Sequence, residues 1–535
     1  MVTANIKKTN KLICLILCTC ISSSAFATSW KVQPRLGVEE AISDNVELSE
    51  FDKEFSWVSL ITPGFFADYK NSRVTAEVDY SYTQALYSHD LDLSDNFHNL
   101  LANGSVALKV DGLSVFGLAS ISNVAANDAR NSLADTVSGD TVQYETYQAG
   151  LNYLVENSRF NVAANTSYSI TRAGDSVGDR KGFNANAITS SGTGARTTFW
   201  QARANYSDYE NNRRSGQFYS VDAKVGYISG FRINPFVRLY KEDSSGNNIN
   251  SSGIQGSSSI GAGARWLISR QLFIDLSYNW VNEDAPAIGI ATEEQDDYVS
   301  AEIAWKPSNR TNLRAQYYQR FFGDAYELQF RHRTKRLTTS VSYTERIDIF
   351  DRFELVPTSL IDIWCLTGTD INSNNCVLGP EAGFDLSDYS FSGFTANFEL
   401  VNANSFSLTE ALTSSVSLRL PRSSLTLSAS QSDRTNLEVG SEDRYQTVRL
   451  SYDRQVNRTT DFLINTSFRY NALNNNSTTL IQQIDYYRIY RIGLNKRLNR
   501  TLEFTSYLQH LNRGSTRFDA SYEENRISAQ LTKRF

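Results

Sequence analysis

The sequence predicts an all-β protein: a transmembrane, antiparallel, up-and-down β-barrel of about 24 strands, with short periplasmic turns and long extracellular loops. Three observations predict it. Segments of about ten to fourteen residues alternate apolar and polar side chains with period two. The connectors between them alternate between tight and long. The chain opens with an export signal and closes on an alternating strand.

The signal comes first. Lys7, Lys8 and Lys11 precede the apolar run LICLILCTCI, and Ala25 and Ala27 follow in SSSAFA. A basic segment, a short apolar core and an A-x-A site describe a signal peptide over 1–27, leaving a mature barrel over 28–535. About ten apolar residues fall short of the about 20 that span a bilayer; a buried N-terminal helix is the competing reading. Cys14, Cys18 and Cys20 lie in the removed segment, and none follows the small residue that precedes a lipid-anchored cysteine.

The mature chain keeps Cys365 and Cys376, in CLTGTDINSNNC. An exported protein meets oxidising conditions, so a local disulfide closing that polar loop is the simplest account. Free thiols or metal ligands are the alternatives. With no histidine or other cysteine nearby, a zinc site is disfavoured. The net charge of −6 is modest, and no basic block of the kind that grips nucleic acid appears. Length alone suggests roughly three or four domains, yet no linker-like break interrupts the chain, and one large unit is the better reading.

The strands follow the alternation. In QLFIDLSYNW, Leu272, Ile274, Leu276, Tyr278 and Trp280 face one way, and Phe273, Asp275, Ser277 and Asn279 the other. YVSAEIAW sets Val299, Ala301, Ile303 and Trp305 against Ser300, Glu302 and Ala304. YSVDAKVGY sets Val221, Ala223, Val225 and Tyr227 against Ser220, Asp222, Lys224 and Gly226. The connectors sort into two classes. One is tight, as in YKNSRV, VENSRF, ISRQLF, KPSNRT and LNRTLE; the other is long and acidic or Gly/Ser/Asn-rich, as in DNVELSEFDKE and NEDAPAIGIATEEQDD. Such sorting by side describes a barrel across an outer membrane, and a soluble sandwich has no need of it.

Two stretches leave the count open to about 22 or about 26 strands. The first, 171–197, hides a weak strand near KGFNANAI. The second, 351–405, reads as one long external loop carrying Cys365 and Cys376, with room for a hairpin of its own. Hydrocarbon tolerates no unpaired sheet edge, so the first strand must pair with the last. The terminal ISAQLTKRF is then the closing strand. Ile527, Ala529, Leu531 and Phe535 face lipid, Ser528, Gln530, Thr532 and Arg534 face the lumen, and Phe535 lies at the periplasmic interface. Lys533, Lys496 and Arg454 occupy the lipid-facing register near strand ends, where long stems snorkel at little cost.

Catalysis finds few candidates. The four histidines are His89, His98, His332 and His510, and no segment offers a G-x-S-x-G nucleophile. GAGAR (261–265) lacks the following helix of a nucleotide site, and the acidic cluster at Glu293, Glu294, Asp296 and Asp297 lacks the spacing of a calcium loop. The reading therefore assigns no catalytic residue, metal or cofactor.

The inward register carries more. Arg314, Arg320, Arg331, Arg333, Arg419, Arg449, Arg469, Arg497 and Arg534 fall on polar faces of late strands, while Glu77 and Asp79 do so early. Cations on one wall and anions elsewhere would select solutes by charge. The competing account pairs these arginines with Glu327, Asp453 and Glu503 to stabilise a polar interior. Phe236, Tyr240 and Tyr318 point inward as sugar-stacking or space-filling aromatics. Barrels of about 22 strands carry a plug. No separate plug domain precedes the first strand, so constriction would fall to loops 127–141, 242–258 or 351–405.

Two resemblances add to this. A terminal strand ending in Phe535, with Leu531 on the same face, resembles the signal by which outer-membrane barrels are recognised for insertion; Lys533 departs from it, where another apolar residue is usual. The mature start, WKVQPRLGVEEAISDNVEL, with Trp30, Pro34, Glu40, Ser43, Asp44, Asn45, Val46 and Leu48, resembles the outer-membrane barrel proteins associated with the PEP-CTERM/exosortase system of exopolysaccharide-producing Gram-negative bacteria. The stretch 414–434, SSVSLRLPRSSLTLSASQSDR, is similar to that family's late hairpin. The resemblance implies a porin-like barrel in the outer membrane, supporting exopolysaccharide export or passage. Its implied partners are outer-membrane lipid, the barrel-assembly machinery, exopolysaccharide and periplasmic export proteins. A closed, surface-structural barrel that binds polymer or a partner is the alternative, and an outer-membrane hydrolase the weakest reading.

Overall fold

The computed structural model describes residues 30–50, 52–89, 94–125, 136–138, 141–173, 179–211, 215–246, 256–283, 296–348, 353–366, 376–378, 389–402, 407–436, 442–473, 483–516 and 521–535. The first strands are β1 (Lys31–Ser43), β2 (Ser56–Lys70), β3 (Val74–Tyr87), β4 (Ser94–Ala107), β5 (Leu113–Ala125), β6 (Thr141–Glu156), β7 (Phe160–Ala173), β8 (Arg180–Ser191) and β9 (Thr198–Asn211). Next come β10 (Ser215–Tyr227), β11 (Ile233–Gly246), β12 (Ser257–Ser269), β13 (Leu272–Glu283), β14 (Tyr298–Ser308), β15 (Thr311–Arg320), β16 (Gly323–Arg333), β17 (Leu337–Asp348) and β18 (Phe353–Leu366). The last are β19 (Cys376–Leu378), β20 (Tyr389–Asn402), β21 (Ser407–Leu420), β22 (Ser423–Asn436), β23 (Glu442–Asn457), β24 (Thr460–Leu473), β25 (Gln483–Arg497), β26 (Leu502–Ser515) and β27 (Tyr522–Arg534).

Twenty-four of these strands form one antiparallel sheet, and β1 pairs with β27 to close it. The stretch 171–197 does hold a strand, β8. The stretch 351–405 holds a separate three-stranded sheet, β18 to β20, while β17 pairs directly with β21 across the gap it leaves.

Period-two chemistry becomes two environments. On β27, Ile527 and Leu531 are 57% and 42% exposed, while Arg526 and Ser528 are 2% and 1% exposed. The same inversion recurs on β13, where Leu276, Tyr278 and Trp280 are exposed and Asp275, Ser277 and Asn279 buried. An exposed apolar face around a buried polar interior is the reverse of a soluble protein, and matches hydrocarbon outside and water or paired charge inside. The chain is an outer-membrane β-barrel.

Lipid-side polar groups are neutralised locally. Glu40 accepts from the Trp57 indole and, at 2.7 Å, from Ser59. Lys533 bends to Thr501 Oγ1 at 2.7 Å and lies 5.9 Å from the Phe535 ring centroid. The Phe535 amide closes on Pro34 O at 2.9 Å, tying the chain end to β1.

The periplasmic turns span two to six residues. The connection between β15 and β16, on the opposite rim, is an exception to the long loops: Arg320 pairs with Gly323, leaving Phe321 and Phe322 as a two-residue tip. Gly323 takes a φ of 109°, open to glycine and strained for other residues.

Candidate functional site

The inner face of the barrel is the candidate site, and register puts every expected charge on it. Arg331, Arg333, Arg419, Arg449 and Arg469 stand opposite Ser340, Thr338, Ser424, Ser428 and Thr447, all buried. Arg314, Arg320, Arg497, Glu77 and Asp79 share that inward register.

What corrects the sequence reading is the partners. The expected segregation of cations and anions to separate walls does not hold. Asp79 is paired with Arg35. Arg314 meets Glu302 at 3.0 Å, and Arg320 meets Glu242 at 2.7 Å. Between β9 and β16 the lumen is crossed by a network of such pairs. Lys224 bridges Asp275 at 2.7 Å and Glu302 at 2.8 Å. Arg265 grips Asp275 through two bonds of 2.8 Å, and Arg238 grips Asp222 through two of 3.0 Å. Planar guanidinium against carboxylate gives these forks their geometry. Aromatic faces complete the packing: Arg265 lies 4.3 Å from the Phe199 centroid and 4.2 Å from that of Phe273. Gly226 leaves the space that Phe199 and Phe236 fill, since a Cβ there would fall 2.3 Å from the Phe199 ring.

Phe236, Tyr240 and Tyr318 do point inward, but into this network. Lys224 sits 5.1 Å from the Phe236 centroid, and Arg238 lies 5.8 Å from Tyr240 and 5.5 Å from Tyr318. They are cation partners rather than an open stacking platform.

The network also changes the barrel's shape. Arg203 on β9 reaches Glu327 on β16 at 3.4 Å, with β10 to β15 between them along the sheet. In a round barrel of this strand number, with strands about 4.8 Å apart and tilted by about 40°, those positions would stand about 38 Å apart. The sheet is therefore folded over into a shut lobe. The β15–β16 tip caps it: Glu242 accepts from Arg320 Nε at 2.9 Å, from Arg320 Nη2 at 2.7 Å and from the Phe321 amide at 3.0 Å.

A second closure sits beside the β1–β27 seam. From loop 127–141, only 136–138 and the β6 start are described, and Val137 and Ser138 are buried in the barrel. Val137 joins Ala41, Val46, Val58, Leu60, Ala85 and Phe97. Ser138 Oγ donates to Glu524 at 2.6 Å, and Ser43 does the same. Arg526 pairs with Glu524 at 2.9 Å and donates to Ser138 at 2.8 Å. Loop 242–258 contributes through Glu242 and strand residues; its 247–255, and most of 351–405 outside the β18–β20 backbone, lie outside the described residues.

Of the acids expected to pair late arginines, Glu327 takes Arg203 instead, Glu503 takes Arg534 at 3.2 Å, and Asp453 accepts from Ser424 at 3.2 Å. Sequence reasoning placed Asp222, Lys224, Asp275 and Glu302 on the inner face without a role, and passed over Arg203, Arg238, Glu242 and Arg265. Their inward register was readable; which would meet was not. The histidines are scattered: His98 bonds Tyr80, His332 bonds Thr311 and His510 bonds Asn525. Among the described residues, no cluster of His, Cys, Asp and Glu could hold a metal ion. Cys365 and Cys376 are directly opposed in the β18–β19 register.

No protein-family model matches the sequence, and no curated protein matches it. Among solved structures, the chain is similar to the FrpB iron transporter from Neisseria meningitidis in its apoprotein form, at 10% identity and a TM-score of 0.46, covering 95% of this chain and 82% of that one. It is also similar to the siderophore receptor PirA from Acinetobacter baumannii, at 10% identity and a TM-score of 0.44, covering 94% and 80%. The likeness is one of barrel fold, and nothing about cargo transfers at this level.

Proposed function

We propose that this chain is a non-enzymatic outer-membrane conduit whose passage runs along the arginine-rich wall of β16 to β25, and that its cargo is an anionic, hydroxyl-rich polymer of the exopolysaccharide type. One observation supports the route: the distribution of charge. The inner face of β16 to β25 repeats arginine at Arg331, Arg333, Arg419, Arg449, Arg469 and Arg491, and these outnumber the acids Asp453 and Asp461 that share the register of β23 and β24. A cationic wall attracts and orients polyanions by field rather than by fitted contact. The polymer class rests on the resemblance of the mature N-terminus, and periplasmic export proteins would be the partners that deliver it.

Planar-bilayer recording tests the reading. Folded protein should pass current with preference for anions, and Arg331→Glu with Arg333→Glu should move that preference toward cations. Absence of current would remove the conduit. A closed, polymer-binding scaffold is the second reading, favoured by the buried Val137–Ser138 segment; it predicts no current together with retained polymer binding.

A further inference from the structure

The periplasmic rim carries a pattern that neither fold nor conduit requires. Eleven turns join β2 to β3 through β25 to β26 on that side, leaving out the β17–β21 gap on the other rim. Ten of them hold an arginine, from Arg73 in the first to Arg500 in the last, and the β4–β5 turn holds Lys109. All these cations are exposed. Asp111 is the one acid within the eleven turns. The opposite rim has the other sign: 44–55 alone carries Asp44, Glu47, Glu50, Asp52 and Glu54 against Lys53.

Backbone needs do not account for the arginines. The carbonyls of Arg73, Arg310, Arg336 and Arg422 accept strand-end hydrogen bonds of 2.7–2.8 Å, a task any residue performs. Among the described residues, no turn arginine side chain makes an ion pair or a side-chain hydrogen bond within the protein. With one cation every second strand, the spacing around the rim is about 12 Å.

We infer that this rim is a binding belt for the phosphates of anionic phospholipids in the periplasmic leaflet. Two features favour lipid over a polymer or a periplasmic protein. The belt is continuous, running past the shut lobe as well as the cationic wall, and lipid is the partner that surrounds a barrel on every side. The same turns also expose large apolar side chains: Phe231 at 80%, Val110 at 56% and Leu498 at 49%. Arginine beside an apolar neighbour suits the headgroup boundary, where the ring or alkyl group enters the acyl region and the guanidinium holds phosphate. A ring meant to collect polymer from water would have no use for Phe231. The lipid-facing Lys496 and Lys533 extend the belt onto the barrel flank.

The test uses the full mature chain in nanodiscs of phosphatidylglycerol and phosphatidylcholine, reading the ratio of the two lipids in contact with protein. At low salt phosphatidylglycerol should be enriched severalfold, and the enrichment should collapse toward unity in high salt. It should collapse likewise when Arg232, Arg270, Arg310, Arg336, Arg422 and Arg458 are all changed to Gln. Heat-dependent gel mobility reports whether that variant is folded; if it is not, two triple variants (the first and last three positions) and the wild-type salt series decide. No enrichment in the wild type, or the same enrichment in folded variants, overturns the proposal. So does an outcome in which the variants lose binding to dextran sulfate while the lipid ratio stays fixed, which would make the ring a polymer collector.

Discussion

Arg203 and Glu327 touch across the barrel interior at 3.4 Å, although β10 to β15 lie between their strands. That contact marks where the sheet folds back on itself. The prediction is that Glu327→Arg, which sets like charges against each other, opens the fold. Single-channel conductance should rise above the wild-type value; an unchanged conductance would mean that the pair does not hold the lobe shut.

Glu242 should matter strongly for stability. It is fully buried and accepts three bonds from the β15–β16 tip. Glu242→Gln removes the carboxylate charge that the buried Arg320 guanidinium grips through two bonds, at a cost of about 3 kcal/mol. Denaturant unfolding in detergent should show the loss, and Glu242→Asp should recover part of it. A cost near zero would indicate that water reaches Arg320.

Val137→Asp should release the inserted segment. A carboxylate cannot remain among Val58, Leu60, Ala85 and Phe97 without a partner, so the segment leaves or the barrel loses about 3 kcal/mol. Accessibility of Ser138→Cys to a water-soluble thiol reagent separates the two: labelling should be slow in the parent and fast with Val137→Asp.

Much of this architecture is legible in the sequence, for a physical reason. Lipid outside and polar groups inside force alternation at every step, so QLFIDLSYNW already shows Asp275 inward and Leu276 outward. Tight turns such as KPSNRT likewise fix which rim faces the periplasm. Partner choice is different. Arg203 and Glu327 are 124 residues apart, and their meeting depends on how strongly the sheet bends, a collective property of many strands. A two-residue tip at Phe321–Phe322 that turns inward, rather than forming one more long loop, depends on Glu242 standing below it. Local pattern fixes the face of a residue; curvature fixes its neighbour.

The separate three-stranded sheet makes a covalent prediction. Cys365 and Cys376 are register partners on β18 and β19, and opposed strand positions stand about 4.5–5.5 Å apart at Cα, within the range a disulfide spans. Mass mapping of unreduced protein should find the two joined, and Cys365→Ser with Cys376→Ser should leave the barrel's heat-dependent mobility unchanged. Two free thiols in protein taken from the outer membrane would contradict this.

The most direct test is a cysteine scan of β27 in that Cys365→Ser, Cys376→Ser background, with the barrel in lipid. Positions 527, 529 and 531 should be shielded from water-soluble reagents and quenched by lipid-borne probes. Positions 528, 530 and 532 should escape lipid quenching, because they face the interior. That alternation, continuing onto β1 at 36 and 38 against 37 and 39, is the signature of a sheet sealed at its ends within a membrane. Uniform water access along the strand, or lipid quenching on both faces, would contradict it.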